Sequence, residues 1–499
     1  MKRKGFTLIE LLAVIVVLTI IALIATPIVR DIIDKNNKKS AEISMTNMEK
    51  AAELYFYNNQ LLGEFKTARF VCKNGVCKDG SKQLDITGQN PDFGIITIDK
   101  NGNIVMDSFI VDGHSCTKLE NGYSCDKAKK QEVFENSSNI VLNDRLNTSL
   151  YNYTIYGNSI QDGTPNLSEN VSVESLGEYD AASGKYKIPV KVSGKNLFKE
   201  SGSSLTLKNQ GTLRTSTIAP DNEIILKPGT YKLTIFTSNA MNLKYRFMYS
   251  LLVTQEGTNK EFYLESSTVS TGGVFTVDKE TKIRGVYVYL SGSDNASAQI
   301  TINNIQLEKG NVATEYEPYI EPLTTNIYLD EPLRKIGDYA DYIDFSSGKI
   351  VRKVGIQYFD GTENWVRTGS NGDGGSIFYL DNAVTNQPYY KNIMSNHFKN
   401  SDDTGSNATW LSGGGRFESS DNILASSKRL YLSTTATTLT QFKSWLGSND
   451  VYVLYSLKKP LEKELELPNI KLFEDYSRLE IDAGIKPSGF GISYYKKIS

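Results

Sequence analysis

Histidine is nearly absent from this chain of 499 residues, which contains only His114 and His397. A histidine-rich metal site and a zinc protease of the HExxH type are therefore excluded. An excess of positive charge is missing too, because 55 lysines and arginines face 57 acidic residues, which gives a net charge of −2. A general nucleic-acid binder needs a basic surplus against the phosphates, so we expect no nucleic-acid partner.

Signatures of catalysis are also missing from the sequence. We find no P-loop, no GxSxG elbow and no paired histidine and cysteine nucleophile. Carboxylates are numerous, but no spacing singles out two of them for acid–base work. The glycine-rich runs at 372–375 and 413–415 are typical of loops and not of phosphate cradles. The sequence therefore predicts a protein that is not an enzyme and that has no catalytic residue, cofactor or metal site.

The first 25 residues combine a positive leader with an apolar run. Residues 1–5, MKRKG, carry three positive charges, and residues 6–25 contain a single charge, Glu10. As a helix this run is about 30 Å long, which is enough to cross a bilayer. The positive leader should stay in the cytoplasm and leave the remaining chain outside. An ordinary secretory signal peptide and a plain membrane anchor would both give such a run.

Glu10 argues against both of these interpretations. A charge inside a membrane helix costs about 3 kcal/mol, and such a residue normally has a partner. The helix itself offers no partner nearby. A partner supplied by another chain would explain why the residue is there.

The segment around Glu10, residues 4–12 with the sequence KGFTLIELL, resembles the processing motif of type IV pilins and pseudopilins. The resemblance implies that a prepilin peptidase cleaves after Gly5 and that Phe6 becomes a methylated N-terminus. It also implies that Glu10 neutralises the Phe6 ammonium group of a neighbouring pilin subunit in a filament, which supplies the missing partner. Pro27 falls where the long helix of this family commonly kinks.

The N-terminal helix is predicted to span residues 6–60 and to carry a small head at 61–135. Apolar residues recur along it at spacings of four and three, as expected of a stripe that packs on a head: Ala41, Met45, Met48, Ala52 and Tyr55. Residues 91–107 alternate around the turn Asp99-Lys100-Asn101-Gly102 and predict a β-hairpin. We therefore expect an α+β fold for this pilin-like part of the chain.

Four cysteines occur within the head: Cys72, Cys77, Cys116 and Cys125. With His114 close by, their spacings would suit a zinc site, and they equally allow two disulfides in three connectivities. An extracytoplasmic location favours disulfides, because oxidising conditions prevail there. The resemblance to pilins points the same way, since pilin heads commonly carry disulfides, and Cys72–Cys77 is one of the possible pairs.

About 360 residues follow the head, and their pattern is that of β structure. Short alternating runs are separated by Gly, Ser, Asn and Asp turns, as in GTYKLTIFTS at 229–238 and IRGVYVYLSG at 283–292. No helix-length apolar period interrupts them. The fold class predicted for this part is all-β, as sandwich or jelly-roll domains.

Parts of the β region resemble modules in tail and receptor-binding proteins of phages that infect Gram-positive bacteria. The segments that carry this resemblance are YGNSIQDGTP at 156–165, KNLF at 195–198, NIQLEKG at 304–310 and ATEYEPY at 313–319. The resemblance implies a β linker module at 136–195, a carbohydrate-binding-like jelly roll at 196–320 and a C-terminal β domain at 321–499. It specifies architecture better than activity, because this fold hosts glycan binders, protein binders and spacers alike.

Tyr287 and Tyr289 are the candidate ligand-binding residues. They alternate with Val286 and Val288 in one predicted strand, so the two pairs face opposite sides of a sheet. With the valines in the core, the tyrosines project outward as a platform on which sugar faces stack. The alternative is that the tyrosines merely cover the sheet, or fill its core while the valines face out.

Together these features predict a minor, tip-located pilin-like adhesin. It would enter a filament through its N-terminal helix and present its β modules to a cell-surface or wall glycan. It would be a single-pass membrane protein before assembly and part of an extracellular filament afterwards, in a bacterium for which the phage-like modules favour a Gram-positive identity. One alternative is a pseudopilin of a secretion or DNA-uptake system. Another is a wall-degrading enzyme carried on a filament, which would need a catalytic constellation that the sequence does not show.

Overall fold

The computed structural model describes most of the chain. The described residues are 8–63, 65–73, 75–79, 82–142, 151–200, 204–210, 214–241, 247–255, 261–265, 273–290, 297–381, 393–400, 420–425, 429–473 and 476–497. They form one long helix, a small head and a large body of β-sheets. The body is mostly β and sandwich-like, as the sequence predicts.

The N-terminal unit is a long helix, α1 (Leu8–Gln60), whose second half packs on a small antiparallel sheet. The strands of this head are β1 (Ala68–Lys73), β2 (Val76–Asp79), β3 (Lys82–Gln83), β4 (Pro91–Ile98), β5 (Ile104–Val111), β6 (His114–Leu119) and β7 (Gly122–Glu135). Most of the predicted apolar stripe is buried against them, since Ala41, Met45, Met48 and Ala52 are at most 1% exposed. The half-buried Tyr55 ends the stripe and contacts Phe70 edge-on. This arrangement is the α+β head that the sequence predicts.

The N-terminal half of α1 continues as helix through Pro27. The Pro27 side chain lies outside the described residues, and the kink predicted there stays a prediction. The predicted membrane-spanning helix is not supported, because no helix in the part of the chain that the structure describes is both long and apolar enough to cross a membrane.

β4 and β5 form the hairpin predicted at 91–107. The Asp99 carboxylate closes the turn by accepting hydrogen bonds from the Asn103 side-chain amide (2.7 Å) and from the backbone N–H groups of Asn103 (2.9 Å) and Asn101 (2.8 Å). These bonds, the side-chain one first, hold the pKa of Asp99 below its usual range. Gly102 has a φ of 85°, and a Cβ there would lie 2.6 Å from the Phe56 ring. The turn therefore also fits closely against the end of α1.

A first sandwich, the central sandwich, follows the head. Its opening strands are β8 (Asn139–Leu142), β9 (Tyr151–Tyr156), β10 (Ser159–Gln161), β11 (Val173–Ser175), β12 (Glu178–Asp180) and β13 (Lys185–Ser193). Along β13 the side chains of Ile188, Val190 and Val192 are buried, and the alternate residues are more exposed. This alternation gives the strand one core face and one outer face.

The next nine strands form a second sandwich, the inserted sandwich. They are β14 (Leu205–Gln210), β15 (Arg214–Ile218), β16 (Ile224–Leu226), β17 (Gly229–Met241), β18 (Phe247–Gln255), β19 (Glu261–Glu265), β20 (Gly273–Val277), β21 (Thr281–Leu290) and β22 (Ser297–Lys309). One sheet has the order β14-β22-β17-β20, and the other has the order β15-β21-β18-β19 with β16 beside β21. An apolar core that includes Leu251, Val286 and Leu307 fills the space between them. The sandwich agrees with the predicted all-β class, and the domain bounds 196–320 and the jelly-roll assignment stay predictions.

After the inserted sandwich the chain returns to the central sandwich. The strands of this part are β23 (Leu323–Leu329), β24 (Lys335–Ile336), β25 (Tyr339–Ala340), β26 (Tyr342–Asp344) and β27 (Lys349–Phe359). β23 pairs antiparallel with β13, and Leu323 lies opposite Val192. The two ends of the inserted sandwich are therefore adjacent.

A third unit, the distal unit, lies between β27 and the strand that pairs with it. Its elements are β28 (Val366–Ser370), β29 (Ser376–Asp381), β30 (Ile393–Ser395), β31 (Lys399–Asn400), β32 (Asn422–Ala425), β33 (Arg429–Thr434) and α2 (Leu439–Leu446), and the chain then returns through β34 (Val451–Glu464). A capping box of Thr438 and Gln441 begins α2. Phe442 on α2 stacks on Phe378 at 4.2 Å between ring centroids, which places α2 on the core of this unit.

The final strands, β35 (Ser477–Ile481) and β36 (Gly489–Lys497), complete the central sandwich. Its core joins residues from distant parts of the sequence, including Ile140, Ile188, Ile327 and Phe490. The sequence placed 136–195 in a linker and 321–499 in a separate domain, whereas the structure gives residues of both ranges one core. The reason is that β13 pairs with β23 along one edge and with β12 and β35 along the other.

β36 lies between the head and the central sandwich. One edge pairs with β7, where Phe490 faces Glu135, and the other pairs with β9, where Phe490 faces Ile155. The result is one sheet of 13 strands in the order β3-β2-β1-β4-β5-β6-β7-β36-β9-β26-β27-β34-β30. This sheet connects the head, the central sandwich and the distal unit through backbone hydrogen bonds.

Candidate functional site

The residues predicted for processing and assembly belong to the extreme N-terminus. Gly5 and Phe6 lie outside the described residues. Glu10 is within α1, but its side chain also lies outside them. The ammonium partner predicted for Glu10 therefore stays a prediction.

Charged side chains fix one flank of α1 to the edge strand of the head. Lys127 Nζ lies 2.9 Å from an Asp34 carboxylate oxygen, and Lys38 Nζ lies 3.1 Å from one of Asp126. Both pairs are largely exposed, so each contributes only about 0.2–1 kcal/mol. The two pairs set the direction of the helix, because residue numbers increase along α1 from one pair to the other and decrease along β7. The helix is thereby oriented relative to the sheet.

Glu49 forms the more protected contact between α1 and the head. Its carboxylate accepts hydrogen bonds from the Lys118 ammonium group and from the Tyr123 hydroxyl, the latter at 2.8 Å. Burial of the Tyr123 ring and the hydrogen bond to Glu49 together raise the pKa of Tyr123 well above its usual range. Tyr123 therefore keeps its proton under all physiological conditions and holds the helix to β7.

The four cysteines form two disulfides, Cys72–Cys77 and Cys116–Cys125. Each joins residues that lie directly opposite in neighbouring strands, β1 with β2 and β6 with β7. Disulfides are therefore confirmed over the zinc alternative. His114 is buried, and its Nδ1 lies 2.8 Å from the Asp112 carbonyl oxygen. Within the described ranges we find no cluster of three His, Cys, Asp or Glu side chains that would hold a metal ion.

Tyr287 and Tyr289 lie on the outer side of the inserted sandwich. Val286 and Val288, their neighbours on β21, are fully buried, and the two tyrosines are half-buried on the opposite side. The Tyr287 ring centroid is 6.0 Å from that of Tyr289 and 5.0 Å from that of Tyr263 on β19. We call these three rings the tyrosine face. Tyr263 is 51% exposed, and sequence alternation did not single it out because it is far from β21 along the chain.

Small and charged side chains surround the tyrosine face. Ser250 on β18 lies opposite Tyr287 and is nearly buried. Gly285 adds no side chain of its own, and a Cβ there would lie 2.7 Å from Thr217. At one end Arg284 Nε lies 4.0 Å from a Glu261 carboxylate oxygen, and both side chains reach solvent. The arrangement is an open aromatic surface beside one strong hydrogen-bond donor and one strong acceptor.

The motif at 304–319 has a structural role. Residues 304–309 lie in β22, whereas 313–319 are outside any strand and are held against it by buried polar side chains. The Gln306 side-chain oxygen accepts the Glu317 backbone N–H at 2.8 Å. The Glu308 carboxylate accepts the Thr314 N–H at 3.1 Å and the Thr314 hydroxyl at 2.8 Å. Buried polar groups that are fully hydrogen-bonded in this way fix the path of the exit segment.

The structure also forms a cleft that the sequence does not predict. Tyr358 of β27, Tyr452 of β34 and Arg334 line it, at the junction of the central sandwich and the distal unit. Tyr358 and Tyr452 lie directly opposite in the ladder of the two strands, next to the pair Ile356 and Leu454. The alternation of apolar and aromatic residues was visible in each segment. The pairing of the two segments could not be predicted, because it depends on the register of two strands that are about ninety residues apart in the sequence.

Comparison with known proteins gives a match to one family model at the N-terminus. Residues 1–26 match the prokaryotic N-terminal methylation motif. No curated protein matches the chain. Among solved structures the chain is similar to one described as the structure of infectious bursal disease virus Gx strain, with 11% identity and a TM-score of 0.16, over 56% of this chain and 74% of that one. A score this low supports no statement about the fold.

The methylation motif confirms the N-terminal processing signal that the sequence predicts. It fits a type IV pilin-like or pseudopilin-like protein, and it implies processing by a prepilin peptidase and assembly with other pilins. It also implies a protein that is anchored in the membrane and later associated with a surface pilus. The match does not extend to the β body, so the resemblance to phage modules stays a prediction.

Proposed function

We propose that this protein is a minor subunit at the tip of a type IV pilus-like filament, where it acts as an adhesin that binds glycan through the tyrosine face. The observation that carries the proposal is the presence, on one chain, of a methylation motif at residues 1–26 and a tyrosine face on the outer side of a sandwich, in which one ring is exposed and two are half-buried. The motif accounts for entry into a filament. The tyrosines account for contact with a ligand.

The size and attachment of the β body support a position at the tip. Three β units follow the head, and β36 joins the head to the central sandwich through backbone hydrogen bonds along both of its edges. Such a connection leaves the body little freedom to swing away from the head. Pilin heads pack closely along a filament shaft, so a large body fixed to the head is easier to accommodate at the end.

The chemistry of the tyrosine face supports a sugar ligand. Tyrosine rings are large, rigid and flat, and the apolar C–H faces of sugars stack on them with little loss of conformational entropy. The rings come from β21 and β19, on either side of β18, and adjoin at centroid distances of 5.0 Å and 6.0 Å with planes tilted by 51° and 42°. The nearby Arg284 and Glu261 side chains offer a donor and an acceptor for sugar hydroxyl groups.

The N-terminal part of the proposal follows the order of processing. The apolar run at 6–25 would hold the subunit in the cytoplasmic membrane until the peptidase cleaves after Gly5 and Phe6 is methylated. Glu10 would then pair with the Phe6 ammonium group of a neighbouring subunit. The cell would be a Gram-positive bacterium, and the protein would need no cofactor.

A pseudopilin of a secretion or DNA-uptake system is the second candidate, because the methylation motif suits it equally well. Its β body would contact cargo or cell wall. Capture of DNA would require a basic surface, and the net charge of −2 gives no general support for one.

Binding of the full chain in detergent micelles to a glycan array tests the adhesin. We expect saturable binding to at least one glycan, and at least tenfold weaker binding for Tyr287→Ala and Tyr289→Ala. Tyr328→Ala is the matched control, since Tyr328 is an exposed tyrosine on β23, outside the tyrosine face. Binding that survives both substitutions would move the site elsewhere, and hydrolysis of the glycan would favour the wall-degrading enzyme instead.

Immunogold labelling of intact filaments tests the location. Antibodies to the inserted sandwich should label filament ends. Labelling at regular intervals along the shaft would contradict the tip position, and the absence of label from any extracellular filament would favour the pseudopilin.

A further inference from the structure

The cleft at the junction of the central sandwich and the distal unit has a volume of about 430 Å³. This lies within the range of about 300–1,000 Å³ that is usual for small-molecule sites. It belongs to neither the tyrosine face nor the head. Its walls come from several separate parts of the chain, among them the strands β11, β27 and β34 and the segments around Pro332 and Gly484.

The floor of the cleft is apolar and its mouth is aromatic. Ile356 lies opposite Leu454, and Tyr358 lies opposite Tyr452 in the next pair on the same side of the sheet. The two tyrosine rings are 5.7 Å apart between centroids, and Tyr358 is 60% exposed. The Tyr452 hydroxyl accepts the Val173 backbone N–H at 2.9 Å, which fixes its ring. A ligand entering the cleft therefore meets one fixed ring, that of Tyr452, and one exposed ring, that of Tyr358.

Arg334 brings hydrogen-bond donors to the same wall. Its side chain is only 8% exposed, and its Nη1 donates to a Glu331 carboxylate oxygen at 2.6 Å. Among the described residues, no hydrogen-bond partner is found for Nε or Nη2. Burial raises the pKa values of Tyr358 and Tyr452, and the positive charge of Arg334 in the same cleft lining opposes the rise in both. Donor groups of a nearly buried arginine thus remain available beside the aromatic pair.

Carboxylates supply the acceptors. Glu174 and Glu178 line the cleft together with Arg334. Lys187 balances Glu178 at 3.7 Å and Glu331 balances Arg334, so the negative charge of Glu174 remains at the cleft and disfavours an anionic ligand. The guanidinium in turn disfavours a cationic ligand. A neutral ligand with many hydroxyl groups and an apolar face satisfies all of these groups at once.

We propose that this cleft binds a neutral saccharide of one or two sugar units. One sugar face stacks on Tyr358, the Tyr452 ring, tilted by 54° to it, contacts the edge of the sugar, and the sugar hydroxyl groups accept from Arg334 and donate to Glu174 and Glu178. The site does not depend on the tyrosine face and would exist in a pseudopilin as well as in an adhesin. If both sites bind glycan, one chain engages a surface at two points, and its avidity rises without any new contact.

Saturation-transfer NMR on the full chain in detergent micelles tests the proposal. The probes are the methyl glycosides of glucose, galactose and N-acetylglucosamine, with methyl glucuronide as the anionic comparison. We expect transfer to at least one neutral glycoside and none to the glucuronide. Failure of all neutral glycosides to bind, or preferential binding of the glucuronide, would overturn the proposal.

Substitutions assign the binding to the cleft. Tyr358→Ala should weaken it at least tenfold, while Tyr57→Ala, which replaces a tyrosine of equal 60% exposure on α1, should leave it unchanged. Because Arg334 is nearly buried, Arg334→Lys is compared at equal thermal stability and should also weaken binding at least tenfold. Binding that Tyr358→Ala and Arg334→Lys leave unchanged would overturn the assignment. Tyr287→Ala should not affect it, so failure of this site and failure of the tyrosine face remain distinguishable.

Discussion

At the scale of single residues, Glu10 is the charge with the clearest predicted consequence. Glu10→Leu should leave cleavage after Gly5 intact, because the change lies beyond the cleaved bond. It should impair incorporation into filaments, since the Phe6 ammonium group of the neighbour loses its carboxylate. Mass spectrometry of the mature N-terminus and quantification of the protein in sheared filaments measure the two effects separately. Normal incorporation of the variant would contradict the pairing.

Tyr123 gives a prediction about pH. Its pKa is raised in the folded head by burial and by Glu49, so its contribution to stability is fully present below pH 10 and is lost as the pH rises above that value. At pH 8, Tyr123→Phe should destabilise the head by about 1.5 kcal/mol through loss of a hydrogen bond to a charged group. The difference between variant and parent should shrink as the pH rises from 10 to 12 in denaturant unfolding. A difference that stays constant across this range would refute the role of Tyr123.

The sequence predicts structural features correctly where they depend on residues that are close together in the chain. The stripe from Ala41 to Ala52 and the turn at Asp99 follow from spacing along a few neighbouring residues, and the structure has both. The alternation around Tyr287 was equally local, whereas Tyr263, which completes the tyrosine face, comes from another strand. No local pattern relates residues that meet only through strand register.

At the scale of elements, β36 is the strand that connects the head to the central sandwich, because it pairs with a strand of each. A chain that stops after Pro487 should lose the pairing with both β7 and β9 and leave two long unpaired edges. We expect cleavage by added protease near residues 136–138 and a rise in aggregation, seen by light scattering. A chain that stops after Lys497 keeps all of β36 and is the matched control. If the shorter chain is equally resistant and monodisperse, β36 is not what holds the head to the body.

The order of strands in the central sandwich could not be predicted from the sequence. The short strands and turns of the body were predicted as a class, and the structure is mostly β. The division at 136–195 and 321–499 followed linear order, which is the only order that a sequence displays. The central sandwich ignores that order, because β13, β23 and β35 assemble one sheet from three distant segments.

At the scale of the whole molecule, the protein is a central sandwich with two insertions. Because Leu323 lies opposite Val192, a short glycine–serine turn should be able to replace residues 194–322 without moving β13 or β23. The lost contacts of Lys227 with Glu480 and Asp482 are exposed ion pairs and contribute little. The shortened chain should keep a cooperative thermal transition and saccharide binding in the cleft within twofold of the full chain. Loss of the folded sandwich would contradict its independence from the insertion.

The position of β36 in the sequence also determines when, during synthesis, the head and the central sandwich become joined in one sheet. β7 and β9 are made early, and the strand that fills the gap between them follows about 330 residues after the end of β9. During export β7 and β9 therefore each have one unpaired edge until β36 is available. Pairing of β36 with them closes a loop of several hundred residues, and closing so long a loop is slow. The thirteen-stranded sheet closes only after both insertions have left the membrane. Until then a subunit already has its filament helix but not yet its rigid connection, so we expect maturation to follow export with a measurable delay.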